Sequence, residues 1–262
     1  MEVGDLSDLA GSTVALLVLA AFAAGWVDAV VGGGGLLQLP ALLLVPGMAP
    51  VQALATNKLA SIMGTTVSAA TYYRRVGPDL RTAVPMAAAA LVGSAGGAAL
   101  ATWLPGEAIE PIVLVALVGV GLWTATRPAL GAETDLRWSG HRHYGAAGAI
   151  GFGLGAYDGL VGPGTGTFLV IALVGVLGYA FLEASAKAKI VNAATNLGAL
   201  VVFALAGAPV WQLGLLMGAA NVAGAYLGAR MAVARGSRFV RAVFLVVVAA
   251  LVVRLAWDVL AR

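Results

Sequence analysis

The stretch Gly25-Trp-Val-Asp-Ala-Val-Val-Gly-Gly-Gly-Gly35 decides the fold, because four glycines interrupt an apolar segment that contains one acid, Asp28. A related stretch, Gly155-Ala-Tyr-Asp-Gly-Leu-Val-Gly-Pro-Gly-Thr-Gly166, lies near the middle of the chain, with Asp158 in the place of Asp28. The two aspartates are 130 positions apart (158 − 28). Two glycine pairs keep the same spacing: Gly32 with Gly162, and Gly34 with Gly164. The sequence therefore predicts two related halves, residues 1–130 and 131–262, each built around an apolar segment broken at glycines.

The composition predicts a polytopic α-helical membrane protein. Of the 262 residues, 61% are hydrophobic and 10% are charged, whereas soluble domains carry about 25% charged residues. A run of about 20 apolar residues spans a bilayer as a helix, and such runs follow one another along this chain. They lack the alternation of short segments that a membrane β-barrel requires. The lipid bilayer is therefore one expected partner.

Several other classes of protein are excluded or disfavoured. The chain has no cysteine, so it has neither a disulfide framework nor a thiolate metal site. The N-terminus carries acids and no Lys or Arg, which is unlike a signal peptide. Of the fifteen Lys and Arg, most cluster in short loops between apolar segments, which indicates membrane orientation rather than nucleic-acid binding. We expect no cofactor, and we interpret His141 and His143 as residues of a solvated loop rather than as metal ligands.

The pattern predicts about five apolar segments in each half. They cover residues 13–31, 35–46, 50–73, 82–104 and 109–126, and then 143–161, 166–181, 184–206, 211–229 and 240–260. The second segment is too short to cross a bilayer alone, and its counterpart in the second half is also short. Each is half of a discontinuous helix, a re-entrant piece or a strongly tilted crossing, and the sequence leaves these alternatives open.

Charges in the loops predict how the segments are oriented. Basic loops mark the cytoplasmic side, which places loops 74–81, 127–142 and 230–241 inside. The acidic N-terminus and the acidic loop 104–110 are then outside. Each half crosses the membrane an odd number of times, so the halves run in opposite directions. This is an inverted-topology repeat, the plan of many secondary transporters.

Two lysines are the most informative charged residues. Lys58 and Lys189 correspond at an offset of 131 (189 − 58), and a lysine at the bilayer centre costs about 2.5–3.5 kcal/mol, so such residues are usually functional. Polar residues continue the same helical face at i+3 and i+7: Ser61 and Thr65 after Lys58, and Asn192 and Asn196 after Lys189. The alternative is that the amines snorkel to the lipid headgroups, which we expect of Lys187.

The acids and the glycine breaks complete a predicted pocket. A buried carboxylate needs a partner or a proton, so Asp28 and Asp158 pair with a lysine, couple transport to protons or bind a coupling cation. Alternatively they form purely structural salt bridges. New helices should begin at about Leu36 and Thr167, with free N–H groups and positive dipole ends facing the breaks, which favours an anion. Together with two lysines this predicts a positively biased pocket, unless the glycines serve only close packing.

Other glycines are interpreted as packing residues. Gly93 and Gly97 correspond to Gly224 and Gly228 at an offset of 131 (224 − 93). The Gly-xxx-Gly spacing lets two membrane helices approach closely. We therefore expect these four glycines to lie at helix–helix contacts.

At these residues the chain resembles the sulfite exporter TauE/SafE family of bacterial membrane permeases. The matching pieces are Gly25 to Pro40, Ala55-Thr-Asn-Lys-Leu59, Tyr157 to Thr167, Lys189-Ile-Val-Asn192 and Ala194-Thr-Asn196. The resemblance implies that Asp28, Asn57, Lys58, Asp158, Lys189, Asn192 and Asn196 line the transport path. One departure is that Asn57-Lys58 corresponds to Ala188-Lys189, so the amide is not duplicated and we expect an asymmetric site.

The expected function is secondary transport, and specifically export, of a small sulfur-containing anion such as sulfite or an organosulfonate (sulfoacetate, for example), by alternating access and with protons as candidate coupling ions. We expect the bacterial inner membrane, a periplasmic N-terminus and a homodimer. The predicted substrate-binding residues are Lys58, Lys189, Asn57, Gly33, Gly34, Gly35, Gln38, Gly164, Thr165, Thr167, Asn192 and Asn196, and Asp28 and Asp158 are the predicted coupling or ion-pair residues. Alternatives are an anion channel, a permease for another small organic anion, or a membrane enzyme or assembly factor. We expect no enzyme, because no nucleophile or metal cluster is recognisable.

Overall fold

The computed structural model describes residues 9–103 and 133–260. Within these ranges the chain forms helices and no strand, which confirms the predicted all-α class. The predicted segment 109–126, the loop 104–110 and the acidic residues of the N-terminus lie outside the described residues.

The remaining predicted segments all fall on helices. These are α1 (Gly11–Val31), α2 (Gly35–Leu43), α3 (Pro50–Val76), α4 (Leu80–Ala101), α5 (Gly140–Leu160), α6 (Thr165–Ala172), α7 (Phe181–Leu205) and α8 (Trp211–Leu260). By length and composition α1, α4 and α7 are apolar enough to cross a membrane. The molecule is thus a helical membrane protein, as its composition predicts.

The two short segments are short helices next to breaks. At a rise of about 1.5 Å per residue, the 9 residues of α2 extend for about 14 Å, less than half of a bilayer core of about 30 Å. Helix α6 has 8 residues and continues as a turn of π-helix, Leu173–Leu177. The segment predicted to reach residue 181 ends there because Gly178 adopts a left-handed conformation, with φ of 90°.

The predicted loop 230–241 is mostly helical. Helix α8 continues through its arginines, and only Gly236 departs from helical geometry, with φ of 72° and ψ of −169°. Arg and Ala are strong helix formers, and a single glycine is enough to break the axis. The prediction of a loop was therefore wrong apart from this one residue.

Close glycine contacts hold the long helices together. Helix α4 packs on α5, and α1 packs on α8. A Cβ atom placed on Gly93 would lie 2.2 Å from the carbonyl oxygen of Phe152, and one on Gly224 would lie 1.9 Å from that of Phe22. The two contacts correspond at the predicted offsets (152 − 22 = 130; 224 − 93 = 131). The expectation that these glycines serve helix packing is confirmed.

Apolar side chains form two clusters among the described residues. One surrounds the second short helix and includes Leu169, Leu173 and Leu177. The other includes Leu42 of the first short helix and Leu54 of α3. Both short helices therefore pack against protein on one side at least, although Leu37 and Leu43 of α2 are exposed. Contact with protein is what allows irregular backbone at membrane depth.

A polar cluster joins the N-terminal ends of α4, α5 and α7. His143 Nε2 lies 3.2 Å from Thr82 Oγ1 and 2.9 Å from the Tyr179 hydroxyl. Lys187 Nζ lies 2.8 Å from Glu183 Oε1 and 4.2 Å from the centre of the Tyr179 ring. His143 and Lys187 are both buried. Two expectations were therefore wrong: His143 belongs to the first turn of α5 rather than to a solvated loop, and Lys187 does not snorkel, because its buried amine is held by Glu183 and Tyr179.

Helix α4 begins with a side-chain cap. Asp79 Oδ1 accepts a hydrogen bond from the Arg81 backbone N–H at 2.9 Å, and Asp79 Oδ2 accepts one from the Thr82 hydroxyl at 2.7 Å. Burial opposes ionisation of Asp79, but these hydrogen bonds outweigh it and hold its pKa below the ordinary value of 3.8. The cap therefore stabilises the fold in its ionised form.

The close approach of α4 and α5 gives a first prediction. A Cβ on Gly97 would lie 2.0 Å from the Ala156 carbonyl oxygen, whereas one on Gly96 of the same helix meets nothing within 4 Å. We expect Gly97→Ala to lower the free energy of unfolding by about 1–3 kcal/mol, because the helices must separate. Gly96→Ala should raise it by up to about 1 kcal/mol through helix propensity. Thermal unfolding in detergent measures the stability change of each variant, and equal changes would contradict the close contact between α4 and α5.

The Asp79 cap gives a second prediction. Replacement of an N-cap Asp by Ala costs about 1 kcal/mol, so Asp79→Ala should lower the Tm at neutral pH. Because the pKa is lower in the folded state, the stabilisation is present above pH 3.8 and is lost as the pH falls through the folded-state pKa. The difference from the parent protein should therefore shrink in acid. Asp79→Asn is the control, since Asn caps as well as Asp but does not titrate. A difference that persists below the folded-state pKa would contradict this assignment.

Candidate functional site

The two glycine breaks lie against each other. Helix α1 ends at Val31, and Gly32 then turns the chain with φ of 87°. At the second break, the backbone N–H of Thr167 donates to the Gly32 carbonyl oxygen at 3.1 Å. The Thr167 hydroxyl donates to the Val31 carbonyl oxygen, also at 3.1 Å. The second break thus satisfies carbonyl groups that the end of α1 leaves without helical partners.

One ion pair joins α3 to α5 beside the breaks. Lys58 Nζ lies 2.6 Å from Asp158 Oδ2, and each side chain is 2% exposed. Despite this short distance, Asp158 Oδ2 accepts no well-aligned hydrogen bond from any residue that the structure describes. The pair is therefore held by charge more than by hydrogen-bond geometry.

A second ion pair joins α7 to the last turn of α1. Lys189 Nζ donates to Asp28 Oδ2 at 3.1 Å and also to the backbone carbonyl oxygen of Asp28. The Thr65 hydroxyl donates to the same carboxylate oxygen at 3.4 Å. Lys189 is completely buried, and so is the amine of the first pair. Snorkelling is therefore wrong for both lysines.

Each pair joins the lysine of one half to the aspartate of the other. Lys58 of the first half binds Asp158 of the second, and Lys189 of the second half binds Asp28 of the first. Removal of one partner from a buried ion pair costs about 3–5 kcal/mol. The two pairs therefore tie the halves together at the breaks, which is one of the roles that the sequence left open for the aspartates.

A small polar cavity lies between the pairs. Its volume is about 20 Å³, which is room for about one water molecule. The lining residues come from both halves and are mostly polar or glycine: Asp28, Gly32, Gly35, Asn57, Lys58, Ser61, Asp158, Gly162, Gly164, Thr165, Gly166, Asn192 and Asn196. Both short helices begin here, at Gly35 and Thr165, so the expected starts near Leu36 and Thr167 were late by one and two residues.

The cavity brings together nine of the predicted site residues and leaves five outside its lining. Those inside are Asp28, Gly35, Asn57, Lys58, Asp158, Gly164, Thr165, Asn192 and Asn196, and those outside are Gly33, Gly34, Gln38, Thr167 and Lys189. Four of these five, Gly34, Gln38, Thr167 and Lys189, have structural contacts of their own. A Cβ on Gly34 would lie 2.5 Å from the Ala24 carbonyl oxygen. Thr167 caps α1, and Lys189 reaches the site only through Asp28.

Gln38 belongs to an amide network beside the cavity. Its Oε1 accepts from Asn221 Nδ2 at 2.9 Å, and its Nε2 lies 3.4 Å from the Asn57 carbonyl oxygen. We did not predict Asn221, because a lone amide in an apolar run gives no signal until its partner is known. Ser61 was recognisable, since it lies three residues after Lys58 on the same helical face.

The charges of the site are balanced. Two amines face two carboxylates, so the expected positive bias of the pocket was wrong for this state. The physical reason is that both aspartates are already paired. The remaining lining groups that can donate to an anion are amide and hydroxyl side chains. Most of the first N–H groups of the two short helices already donate to backbone carbonyl oxygens, as Leu36, Leu37, Thr165 and Thr167 do. Among the residues that the structure describes, no group of three or more His, Cys, Asp or Glu comes together to hold a metal ion.

Comparison with known proteins identifies the relatives of this site. The sulfite exporter TauE/SafE family matches residues 17–255. The chain belongs to this family. A probable membrane transporter protein of Sinorhizobium, ORF9, is 36% identical over 97% of this chain and 96% of its own length. The probable membrane transporter protein YfcA of Escherichia coli K12 is 35% identical over 93% of this chain and 89% of its own length.

A probable membrane transporter protein of Haemophilus influenzae is 32% identical over 96% of this chain and 97% of its own length. No solved structure matches. Membership of the TauE/SafE family, together with the apolar helices, indicates a bacterial membrane transporter rather than an enzyme.

The meeting of the breaks gives a third prediction. A Cβ on Gly32 would lie 2.1 Å from the backbone of Gly166, whereas one on Gly77 meets nothing within 4 Å. Both glycines have positive φ, at 87° and 63°, so each Ala variant carries a similar backbone strain of about 1–2 kcal/mol. We expect Gly32→Ala to lower the Tm clearly more than Gly77→Ala, because only the former pushes the two breaks apart. Equal Tm losses would contradict the contact.

Proposed function

We propose that the protein is a secondary transporter that exports a small sulfur-containing anion, such as sulfite or an organosulfonate, across the inner membrane. The observation that carries the proposal is a small polar cavity that is lined by Lys58 and by the first residues of two helices, Gly35 and Thr165. The chain belongs to a family named for sulfite export, which supports the choice of substrate class.

An anion in this cavity would meet several kinds of donor. The Lys58 amine supplies charge, and the amides of Asn57, Asn192 and Asn196 supply neutral hydrogen bonds. The side-chain oxygen of Asn57 is buried and accepts no hydrogen bond from the described residues, and since an oxygen cannot donate, only the NH2 group of this side chain would bind the anion. Oxyanions with three equivalent oxygens suit such a set of convergent donors.

Alternating access explains why the cavity is smaller than the proposed substrate. A cavity of about 20 Å³ holds no sulfite, so the halves must move apart before a substrate binds. We infer that the halves are inverted-topology repeats, with α2 and α6 as re-entrant elements that meet near the midplane. The repeated glycine contacts and the reciprocal ion pairs support this inference, because both follow the offsets of 130 and 131 in the sequence.

The aspartates and the basic loops support two further parts of the proposal, the coupling of transport to protons and the orientation of the chain in the membrane. Asp28 and Asp158 are carboxylates that can take up a proton when a pair opens, which would couple transport to the proton gradient. The basic loops place the N-terminus in the periplasm. The homodimer stays a prediction.

An anion channel is the alternative function. Two buried ion pairs beside a cavity too small for the substrate favour a carrier, because a channel needs a continuous path whose ions are weakly held. Flux measurements separate the two functions. A carrier saturates with substrate and responds to a proton gradient, whereas the flux of a channel rises further with concentration.

The fourth prediction tests the proposed function in proteoliposomes. Lys58→Ala should lower sulfite flux at least about tenfold, since loss of one charge-assisted contact costs about 1.5–3 kcal/mol. Lys187→Ala is the matched control, because Lys187 is equally buried but does not line the cavity, and it should retain most of the flux. Size-exclusion profiles check that both variants insert and fold. Normal sulfite flux in Lys58→Ala would contradict the proposal.

A further inference from the structure

Although the two ion pairs occupy equivalent positions in the sequence, they differ in their surroundings. We propose that Lys58–Asp158 is the exchangeable pair, in which the anion displaces Asp158 from Lys58, whereas Lys189–Asp28 is a fixed clamp that holds the end of α1. This inference rests on the proposed function and assigns the anion to one half-site. It follows from three differences between the pairs.

The first difference is the number of hydrogen bonds. Lys189 binds both the carboxylate and the backbone carbonyl of Asp28, and Thr65 binds the same carboxylate. The Asp28 carbonyl also accepts the N–H of Gly32 that ends α1, at 2.8 Å. An anion that displaced the Asp28 carboxylate would therefore break its hydrogen bonds to Lys189 and Thr65 beside the end of α1. Hydrogen bonds between charged groups are stronger than those between neutral groups.

Asp158 has no comparable network. Its Oδ2 atom lies 2.6 Å from Lys58 Nζ but accepts no well-aligned hydrogen bond from the described residues. Asn196 occupies the position that corresponds to Thr65 (196 − 65 = 131), and it lines the cavity instead. An anion can thus replace this carboxylate at the amine without breaking another hydrogen bond of the fold.

The second difference is access to the cavity. Both aspartates and Lys58 line it, but Lys189 does not. An incoming anion therefore meets the Lys58 amine directly. To reach the Lys189 amine it would first have to move Asp28, whose backbone belongs to α1.

The third difference lies in the glycines of the two breaks. A Cβ on Gly32 would lie 2.1 Å from the backbone of Gly166, so this glycine is packed against the other break. At the equivalent Gly162, the nearest atom to a Cβ would be Lys58 Nζ, at 3.1 Å. The first break is therefore packed against backbone, whereas the tightest contact at Gly162 is with the end of the Lys58 side chain. The end of α1 also has Thr167 as a cap, and the residue that corresponds to Thr167 in the first half is a leucine.

These differences assign separate roles to equivalent residues. Because Asp158 competes with the substrate for Lys58, the site binds an anion only in the fraction of molecules whose pair is open. Loss of that competitor should strengthen binding. Loss of the clamp should instead loosen the fold, since Asp28 holds α1 against α7.

The experiment compares the two aspartates in purified full-length protein, with sulfite as the probe. Asp158→Asn should lower the sulfite Kd by about tenfold or more, because the competing charge is gone. Asp28→Asn should change the Kd less than about threefold and lower the Tm by more than about 3 °C. Titration calorimetry and thermal unfolding measure the two quantities. Equal Kd changes in both variants, or tighter binding only in Asp28→Asn, would overturn the assignment.

A second pair of variants keeps all charges and tests the same assignment if an aspartate variant does not fold. Thr65→Val should lower the Tm by about 2 °C and leave the sulfite Kd within about twofold, because Thr65 supports the clamp. Asn196→Ala should raise the Kd about fivefold with little change in Tm, because Asn196 faces the cavity. The reverse pattern would overturn the inference.

Binding measurements on the parent protein distinguish a failure of this inference from a failure of the proposed function. If it binds neither sulfite nor sulfate, thiosulfate or sulfoacetate, the proposed function fails, and the inference fails with it. If the parent protein binds sulfite but the Asp158 and Asp28 variants change the Kd alike, only the assignment of separate roles to the two ion pairs is wrong.

Discussion

The structure depends on one electrostatic constraint: a charge buried among apolar helices must have a partner. Two lysines and two aspartates meet this constraint reciprocally, since each lysine binds the aspartate of the other half. The pairs lie where four glycine-linked helix ends meet, so the charges and the breaks stabilise each other. Without the breaks there would be no polar space for the charges, and without the charges the halves would lose their polar contacts at the centre.

The ion pairs also suit the function that we propose. In this structure the carboxylates pair with the amines, and the cavity holds little more than a water molecule. In the proposed mechanism, separation of the halves exposes an amine together with amide side chains. The substrate would then take the place of a carboxylate, so that the buried amine keeps a negative partner.

Much of the fold and of the candidate site was predictable from the sequence. Composition predicts the helical class, and the two glycine stretches predict the breaks, because few other residues tolerate the left-handed backbone seen at Gly32. The offset from Lys58 to Lys189 predicts a shared site. The exchange of partners between halves was not predictable, since spacing places residues on a helix face but does not say which helix lies opposite. The burial of His143 was missed for the same reason, because its partners Thr82 and Tyr179 lie 61 and 36 positions away.

A charge swap tests the reciprocal pairing most directly. Lys58→Asp and Asp158→Lys each place like charges together in a buried site, and each alone should lower the free energy of unfolding by about 3–5 kcal/mol. The double variant restores opposite charges across the same gap. The account predicts that it regains at least half of the summed loss in thermal or denaturant unfolding. A double variant as unstable as the sum of the two single variants would contradict the pairing.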